Sequence, residues 1–279
     1  MTPTLDSGAF RAAPSPAEQL LREGRPEDAL QALVAQVKAS PADPAARVFL
    51  FQLLAACGQW SRARAQLEMA IRLDPGGATM SGWATVLDAE LARASVIAGE
   101  QLPTIVGAPA EWVPPLLEAV RLDAGGEHAA AAALRARAFE LAPATPGHVD
   151  GMPFEWLSDA DSRFGPCLEL VRPGGYAWAP FERIRSLRFE PPECLADTLW
   201  APVTVTWRND TRSMGYVPVR YPGSEDASDP ALRLGRASSW RQVHEDTWTG
   251  SGQRMLATDA GEHALLDIRV IEFRVGDGG

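Results

Sequence analysis

The chain has 279 residues, of which 46% are hydrophobic and 22% charged, with a formal net charge of −10. This length is enough for one large domain or two ordinary ones with a substantial core. The acid excess, spread over both halves, argues against a nucleic-acid binder, which shows a basic patch or stripe.

No apolar run approaches the roughly 18–20 residues of a membrane span. The three cysteines, Cys57, Cys167 and Cys194, are an odd number, lie far apart and form no C-x-x-C. A disulfide framework or zinc site is therefore not expected, and reduced thiols fit better. MTPTLDSGAFRAAPSP has no basic stretch followed by an apolar one, so no secretory signal is read there. The expectation is a cytoplasmic protein with no cofactor, no metal and neither nucleic acid nor membrane as partner.

In chain order, residues 1–14 read as a disordered N-terminus by composition. Ser15-Pro16-Ala17-Glu18 is a capping box with proline at the first helical position. Asp43-Pro44 is a second helix start. A repeat follows in which a glycine precedes an alanine by five residues and that alanine precedes a proline by twelve. The triplets are Gly24/Ala29/Pro41, Gly58/Ala63/Pro75 and Gly126/Ala131/Pro143. The first two are one period of 34 residues apart, and the third lies two periods further on. Pro109 falls one period after Pro75, so a degenerate unit is expected over residues 78–110.

Glycine permits the turn between two helices, alanine allows close helix approach, and proline stops the second helix. Period and positions resemble the tetratricopeptide repeat, and residues 15–148 are expected to form such a helical domain. Stacked helix pairs leave a concave surface suited to a partner's peptide or helix. Trp60 and Trp83 are candidate groove residues, although aromatics at such positions also serve as repeat core.

From about residue 150 the helical period fades. FEWLSDADSRFGP holds Asp159 and Asp161 one residue apart, followed by Arg163. A D-x-D pair can hold a divalent cation with phosphate oxygens, but the chain has no G-x-x-x-x-G-K or G-x-G-x-x-G to go with it. Two aspartates at this spacing also accept backbone amides in a turn, and Arg163 can pair with either. The reading is an ordered turn that starts a β domain and pins it to the solenoid. Asp159, Asp161 and Arg163 stay candidates for an exposed partner surface.

Pro173-Gly174-Gly175 marks a hairpin between Leu168–Arg172 and Tyr176–Ala179. Val203, Val205 and Trp207 alternate with Thr204 and Thr206, and Leu266, Ile268 and Val270 alternate with Asp267 and Arg269, both as period-two strands. Asn209-Asp210 and Asp259-Ala260-Gly261 are turns. Arg220–Pro230 is a loop, with a short helix expected over Pro230–Ala237. In FERIRSLRFE, Ile184, Leu187 and Phe189 read as core. Arg183, Arg185 and Arg188 form a charged face or a site for an anion or acidic partner. The histidines join no H-E-x-x-H, no G-x-S-x-G exists, and Cys167 reads as core.

The strings FEWLSDADSRFGPCLE, YAWAPFERIRSLRFEPPECLADTLWAPVTVTW, GYVPVRYPGSE and GQRMLATDAGEHALLDIRVIEF follow the repeats in this order. They resemble the ImpE family over roughly residues 16–273. The resemblance implies an accessory protein of bacterial type VI secretion systems. It would bind the N-terminal helix of the sheath subunit TssB and thereby influence sheath handling by the ATPase ClpV. The expected class is α+β: an N-terminal tetratricopeptide-like α-solenoid followed by a small, mostly antiparallel β domain over residues 149–279. The function expected is a non-enzymatic adaptor, with Trp60, Trp83, Asp159, Asp161, Arg163 and Arg185 as partner-binding candidates and no catalytic residue. The alternative is an enzyme with an acidic site around Asp159, Asp161 and Asp259.

Overall fold

The computed structural model describes residues 14–75 and 80–274, and the disorder expected of the N-terminus concerns residues outside these. Three helix pairs realise the three triplets. They are α1 (Pro16–Arg22) with α2 (Pro26–Ala39), α3 (Pro44–Ala56) with α4 (Trp60–Leu73), and α6 (Val113–Ala124) with α7 (His128–Leu141). Gly24, Gly58 and Gly126 sit in the three turns at φ +74°, +67° and +81°. Side chains rarely adopt this left-handed backbone, which glycine takes at no steric cost. Ala29, Ala63 and Ala131 are fully buried where paired helices touch. Both expected starts are capped. Ser15 Oγ accepts from the Glu18 amide at 3.2 Å while the Ser15 amide donates to Glu18 Oε2 at 2.6 Å. Asp43 Oδ1 accepts from the Ala45 and Ala46 amides.

The unit expected over residues 78–110 is not a helix pair. One period after Gly58 the chain has Ala92, so nothing breaks the helix there. Helix α5 (Met80–Ile97) runs on for 18 residues to a turn at Gly99, φ +72°. The chain then crosses to the second half, where β1 (Thr104–Ile105) adds a parallel strand to the edge of its sheet. The helical half thus supplies a strand to the β half.

That sheet is larger than expected. The remaining strands are β2 (Gly147–Val149), β3 (Met152–Phe154), β4 (Leu157–Asp159), β5 (Cys167–Arg172), β6 (Gly175–Pro180), β7 (Ile184–Phe189), β8 (Trp200–Trp207), β9 (Arg212–Pro218), β10 (Ser238–His244), β11 (Thr247–Gly252), β12 (Met255–Thr258), β13 (Gly261–Ala264) and β14 (Val270–Phe273). Nine of the described strands form one sheet in the order β1-β6-β5-β9-β8-β7-β14-β2-β3. All its pairings except β1 with β6 are antiparallel. A three-stranded sheet, β13-β12-β4, and the hairpin β10-β11 lie beside it.

The expected hairpin at Pro173–Gly175 is β5–β6, and Asn209-Asp210 turns β8 into β9, with Asp210 at φ +63°. Ile184, Leu187 and Phe189 are buried despite their uneven spacing, because a register shift between Ile184 and Ser186 restores the inward face. Two expectations are corrected. The last strand begins at Val270, so Leu266 and Ile268 lie before it. There the Asp150 carboxylate takes the Arg269 and Val270 amides and leads the chain into β14. The short helix α8 (Pro230–Arg233) stops well before Ala237.

Both faces of the large sheet are buried. On one face Leu168, Leu170, Ala179, Val203, Val205 and Val217 join Leu256, Leu265 and Ile268 in a core of their own. On the other, Cys167, Val171, Tyr176, Trp178 and Trp200 join the helical residues Phe51, Leu54, Trp83 and Val86 in a single cluster. Trp83 sits in the middle, with ring centroids 6.2 Å from Phe51, 5.8 Å from Trp200 and 5.1 Å from Tyr216. Helices and sheet therefore share one core.

Candidate functional site: a buried ionic bridge and the groove beside it

Asp159 and Asp161 build a turn. Asp159 Oδ1 accepts from the Asp161 amide at 2.8 Å, and Asp161 Oδ1 accepts from the Arg163 amide at 2.9 Å. Asp161 also takes the Gly250 amide of β11 at 2.7 Å and forms a two-pronged pair with the Arg163 guanidinium. Gly165 follows at φ +50°, and the Phe139 ring of α7 occupies the space a Cβ would need there. The turn expected from the sequence is present, and it is pinned to the helical half through Phe139.

Two further residues make this turn part of a longer bridge. Arg254 is fully buried and pairs with both Asp159 and Glu169. Glu169 on β5 is fully buried too, and Arg93 of α5 grips it with two bonds of 2.7 Å. Arg93 Nη2 also donates to the Arg220 carbonyl at 2.7 Å, and Arg220 reaches the Ala56 carbonyl at the end of α3 at 2.7 Å. Tyr176 donates to Glu169, and Trp178 Nε1 donates to Tyr176 at 2.7 Å. The Tyr221 hydroxyl donates to Asp159 at 3.1 Å and accepts from the Met255 amide at 3.0 Å. The Arg254 guanidinium lies over the Phe164 and Tyr221 rings, at 4.9 and 5.2 Å from their centroids.

Burial strains the charges unequally. Burial alone would raise the Glu169 carboxyl, but Arg93 and Arg254 outweigh it and hold it down at about 2. For Asp159, burial wins: against the pull of Arg254, and with Asp161 adding repulsion, its carboxyl rises to about 6. Asp159 is thus the weaker anionic link. The bridge joins α3, α5, β4, β5 and the start of β12. Removing one partner would strand a charge with no water to solvate it.

This placement bears on the sequence candidates. Asp159 and Asp161 are 3% and 0% exposed and spent on Arg254, Arg163 and backbone amides, so neither offers an outer surface. Trp83 is core, and Trp60 is half-buried with its ring centroid 6.5 Å from Trp200. Arg185 is exposed and paired with Asp210. The acidic enzyme site does not assemble. Asp259 lies three residues beyond the Leu256–Asp159 pair and caps the Glu155 amide at 2.8 Å. Among the described residues no group of three or more His, Cys, Asp or Glu is arranged to hold a metal. The sequence reading missed Arg93, Glu169 and Arg254. One signal was available: Glu169 interrupts the apolar run of CLELV, and a lone acid there needs a buried cation.

An open site lies beside the bridge. A groove of about 400 Å³ runs between α5 and the sheet, with Gly82 and Thr85 on the helix side and Val171, Pro202, Val203 and Tyr216, joined by Arg172, Glu190 and Thr204, on the strand side. Met214 stands at its rim, 76% exposed. Gly215 keeps β9 close to β5, since a Cβ there would press on the Val171 carbonyl. From Thr85 a second hollow of about 520 Å³ continues along α5 past Ala89 and Ala92 to Leu102, which is 70% exposed. The first hollow is mainly apolar and suits the apolar face of another helix, in the helix-in-groove mode, whereas the second is lined also by Asp88, Gln101 and Thr104.

Fold and site together define a helical-repeat protein fused to a β-sheet, whose buried charged centre is structural and beside which a mainly apolar groove stands open. The family model described as "ImpE protein" matches residues 151–272, and one described as "Tetratricopeptide repeat" matches residues 20–81. The chain is 46% identical over 262 residues to the "Type VI secretion system accessory component TagJ" of Pseudomonas aeruginosa, covering 94% of this chain and 92% of that protein. It superposes on the crystal structure of protein VPA1032 from Vibrio parahaemolyticus with a TM-score of 0.86 at 24% identity, over 94% of this chain and 99% of that one. The latter likeness speaks to the fold alone. The chain belongs to the ImpE family. No described helix is long and apolar enough to cross a membrane.

Proposed function

We propose that this protein is a non-enzymatic, cytoplasmic adaptor of a type VI secretion system, and that the groove between α5 and the sheet holds the N-terminal helix of a TssB-like sheath subunit. By holding that helix it would influence how ClpV disassembles the sheath. The observation that carries the reading is the apolar trough itself. Its strand wall is mainly Val171, Pro202, Val203 and Tyr216, with Arg172, Glu190 and Thr204 as its polar members, its helix wall is small at Gly82 and Thr85, and Met214 stands exposed at the rim. Methionine adapts its shape to varied apolar partners. Kinship with TagJ of Pseudomonas aeruginosa supports the secretion-system setting.

Calorimetric titration with a synthetic peptide of the TssB N-terminal helix tests this. The expected result is a dissociation constant in the micromolar range or tighter, with a negative heat-capacity change from apolar burial and no sensitivity to EDTA. Absence of binding to both the peptide and the intact sheath subunit contradicts it.

A further inference from the structure

A second surface adjoins the apolar groove at Arg172, which lines both, and is rich in arginine. Where the ends of β5 and β8 approach the segment after β1, a dish of about 380 Å³ is lined by Arg172, Arg183 and Arg208, with Trp207, Asn209 and Gly107. Arg185 borders it, bonded to Asp210. Three guanidiniums thus line a dish whose own lining, among the described residues, holds no carboxylate, in a chain of net charge −10. Glu182 engages the cluster weakly, its carboxylate 3.8 Å from Arg183 Nε.

The arginines are held in place but not satisfied. Arg208 donates to the Glu182 carbonyl at 3.2 Å and the Arg274 carbonyl at 2.8 Å, and Arg183 donates to the Ala108 carbonyl at 3.0 Å. These bonds aim the guanidiniums without neutralising them. Arg183 Nε is shielded from solvent with no hydrogen-bond partner, and the nearest atom to a Cβ built on Gly107 is that nitrogen, at 3.7 Å. Burial, and then repulsion from Arg185, lower the pKa of Arg208. Among the described residues Arg172 makes no hydrogen bond or ion pair of its own. Guanidiniums fixed by backbone carbonyls, crowded by like charge and short of acids, attract carboxylates, which they grip two-pronged.

We propose that this dish is a docking site for an acidic peptide segment of a protein partner, with Arg172, Arg183 and Arg208 taking its Asp or Glu carboxylates against the half-buried Trp207 ring. A protein segment is favoured over a small phosphate. The donors come from side chains on separate elements, and the lining includes no helix N-terminus to cradle a phosphate with backbone amides. The dish meets the apolar groove at Arg172, which lines both, and would add a charge-driven contact beside the apolar one.

The test is fluorescence anisotropy of a labelled oligoglutamate peptide titrated with the full chain at low salt, about 50 mM, where screening is weak. Arg172 is the residue to change, because it holds no backbone carbonyl. Arg172→Glu is expected to weaken binding by about tenfold or more, whereas Arg241→Glu, on β10, changes it less than about twofold. Asn209→Asp, an exposed change at the same rim, is expected to weaken binding as well, and it guards against a folding artefact in the first variant. Absence of binding, or equal losses in Arg172→Glu and Arg241→Glu, overturns the proposal. So does displacement of the peptide by inorganic pyrophosphate at matched charge, which would make this a phosphate site. Binding seen only after deletion of residues 275–279, which carry Asp277, would assign the dish to the chain's own terminus and overturn it too.

Discussion

Helix α5 borders two regions built on opposite principles. On one side Arg93 meets Glu169 and, through it, Arg254 and Asp159, with every one of these charges shut away from water. On the adjacent side Gly82 and Thr85 line an open groove whose far wall is mainly Val171, Pro202, Val203 and Tyr216, with Arg172, Glu190 and Thr204 beside them. The Asp159–Arg163 turn, read from the sequence as an ordered turn, belongs to a structural clamp whose other members, Arg93, Glu169 and Arg254, the sequence reading missed. The groove beside α5 was not read from the sequence and stands open in the structure. Charge alone therefore does not mark function here; what decides is whether each group already has its partner.

Removing a charge from the clamp has the largest expected effect. Arg254→Met leaves Asp159 buried without its cation and loosens Glu169. It is expected to cost about 3–5 kcal/mol, the usual penalty for stranding a buried charge, read from urea denaturation. If the cost stayed within the scatter of surface mutations, about 0.5 kcal/mol, the clamp would not hold the fold together.

Trp83→Ala probes the apolar part of the same seam. The ring packs against Phe51, Trp200 and Tyr216, and its loss is expected to cost about 3–5 kcal/mol, at the lower end if the neighbours collapse inward. A tryptophan that merely lined a groove would cost far less and would change partner affinity instead.

The pH dependence gives a smaller, signed effect. Asp159 is raised to about 6, above the unfolded value of about 4. The folded chain holds that proton more tightly, so this group's contribution to stability grows as pH falls through about 6 and is full below about 4. Glu169 is held at about 2, so its contribution is complete above about 4 and is lost as pH falls below that. Urea denaturation across this range is expected to show a gain on mild acidification followed by a steep loss. A monotonic fall from neutral pH would mean that Asp159 is not the weaker link.

The sequence revealed what local chemistry decides. The glycines of the repeat turns, the capping box at Ser15, the Asp43 cap and the turns at Pro173–Gly174 and Asn209-Asp210 each depend on a few neighbouring residues, and all are where they were expected. The Asp159–Arg163 turn was legible for the same reason. The bridge was not, because Arg93 and Glu169 are 76 residues apart and Glu169 and Arg254 are 85 apart. No spacing rule joins residues so distant. The failed repeat at 78–110 could have been foreseen from Ala92 standing where glycine turned the other units, but the route of the freed chain to the sheet edge could not. Hairpin β10–β11 was invisible because its first strand is largely exposed and polar. Gly250 in its second strand matters through Tyr221, whose ring fills the space of a Cβ.

The apolar flank of α5, and not the charged turn, is the proposed seat of the partner. The most direct test pairs affinity with stability in Thr85→Arg and Met214→Glu, two changes on the groove and its rim. The account predicts that each weakens binding of the TssB N-terminal helix peptide by about tenfold or more while folding free energy stays within about 0.5 kcal/mol of the parent. Unchanged affinity in both variants, with stability intact, would contradict it and move the partner site elsewhere on the molecule.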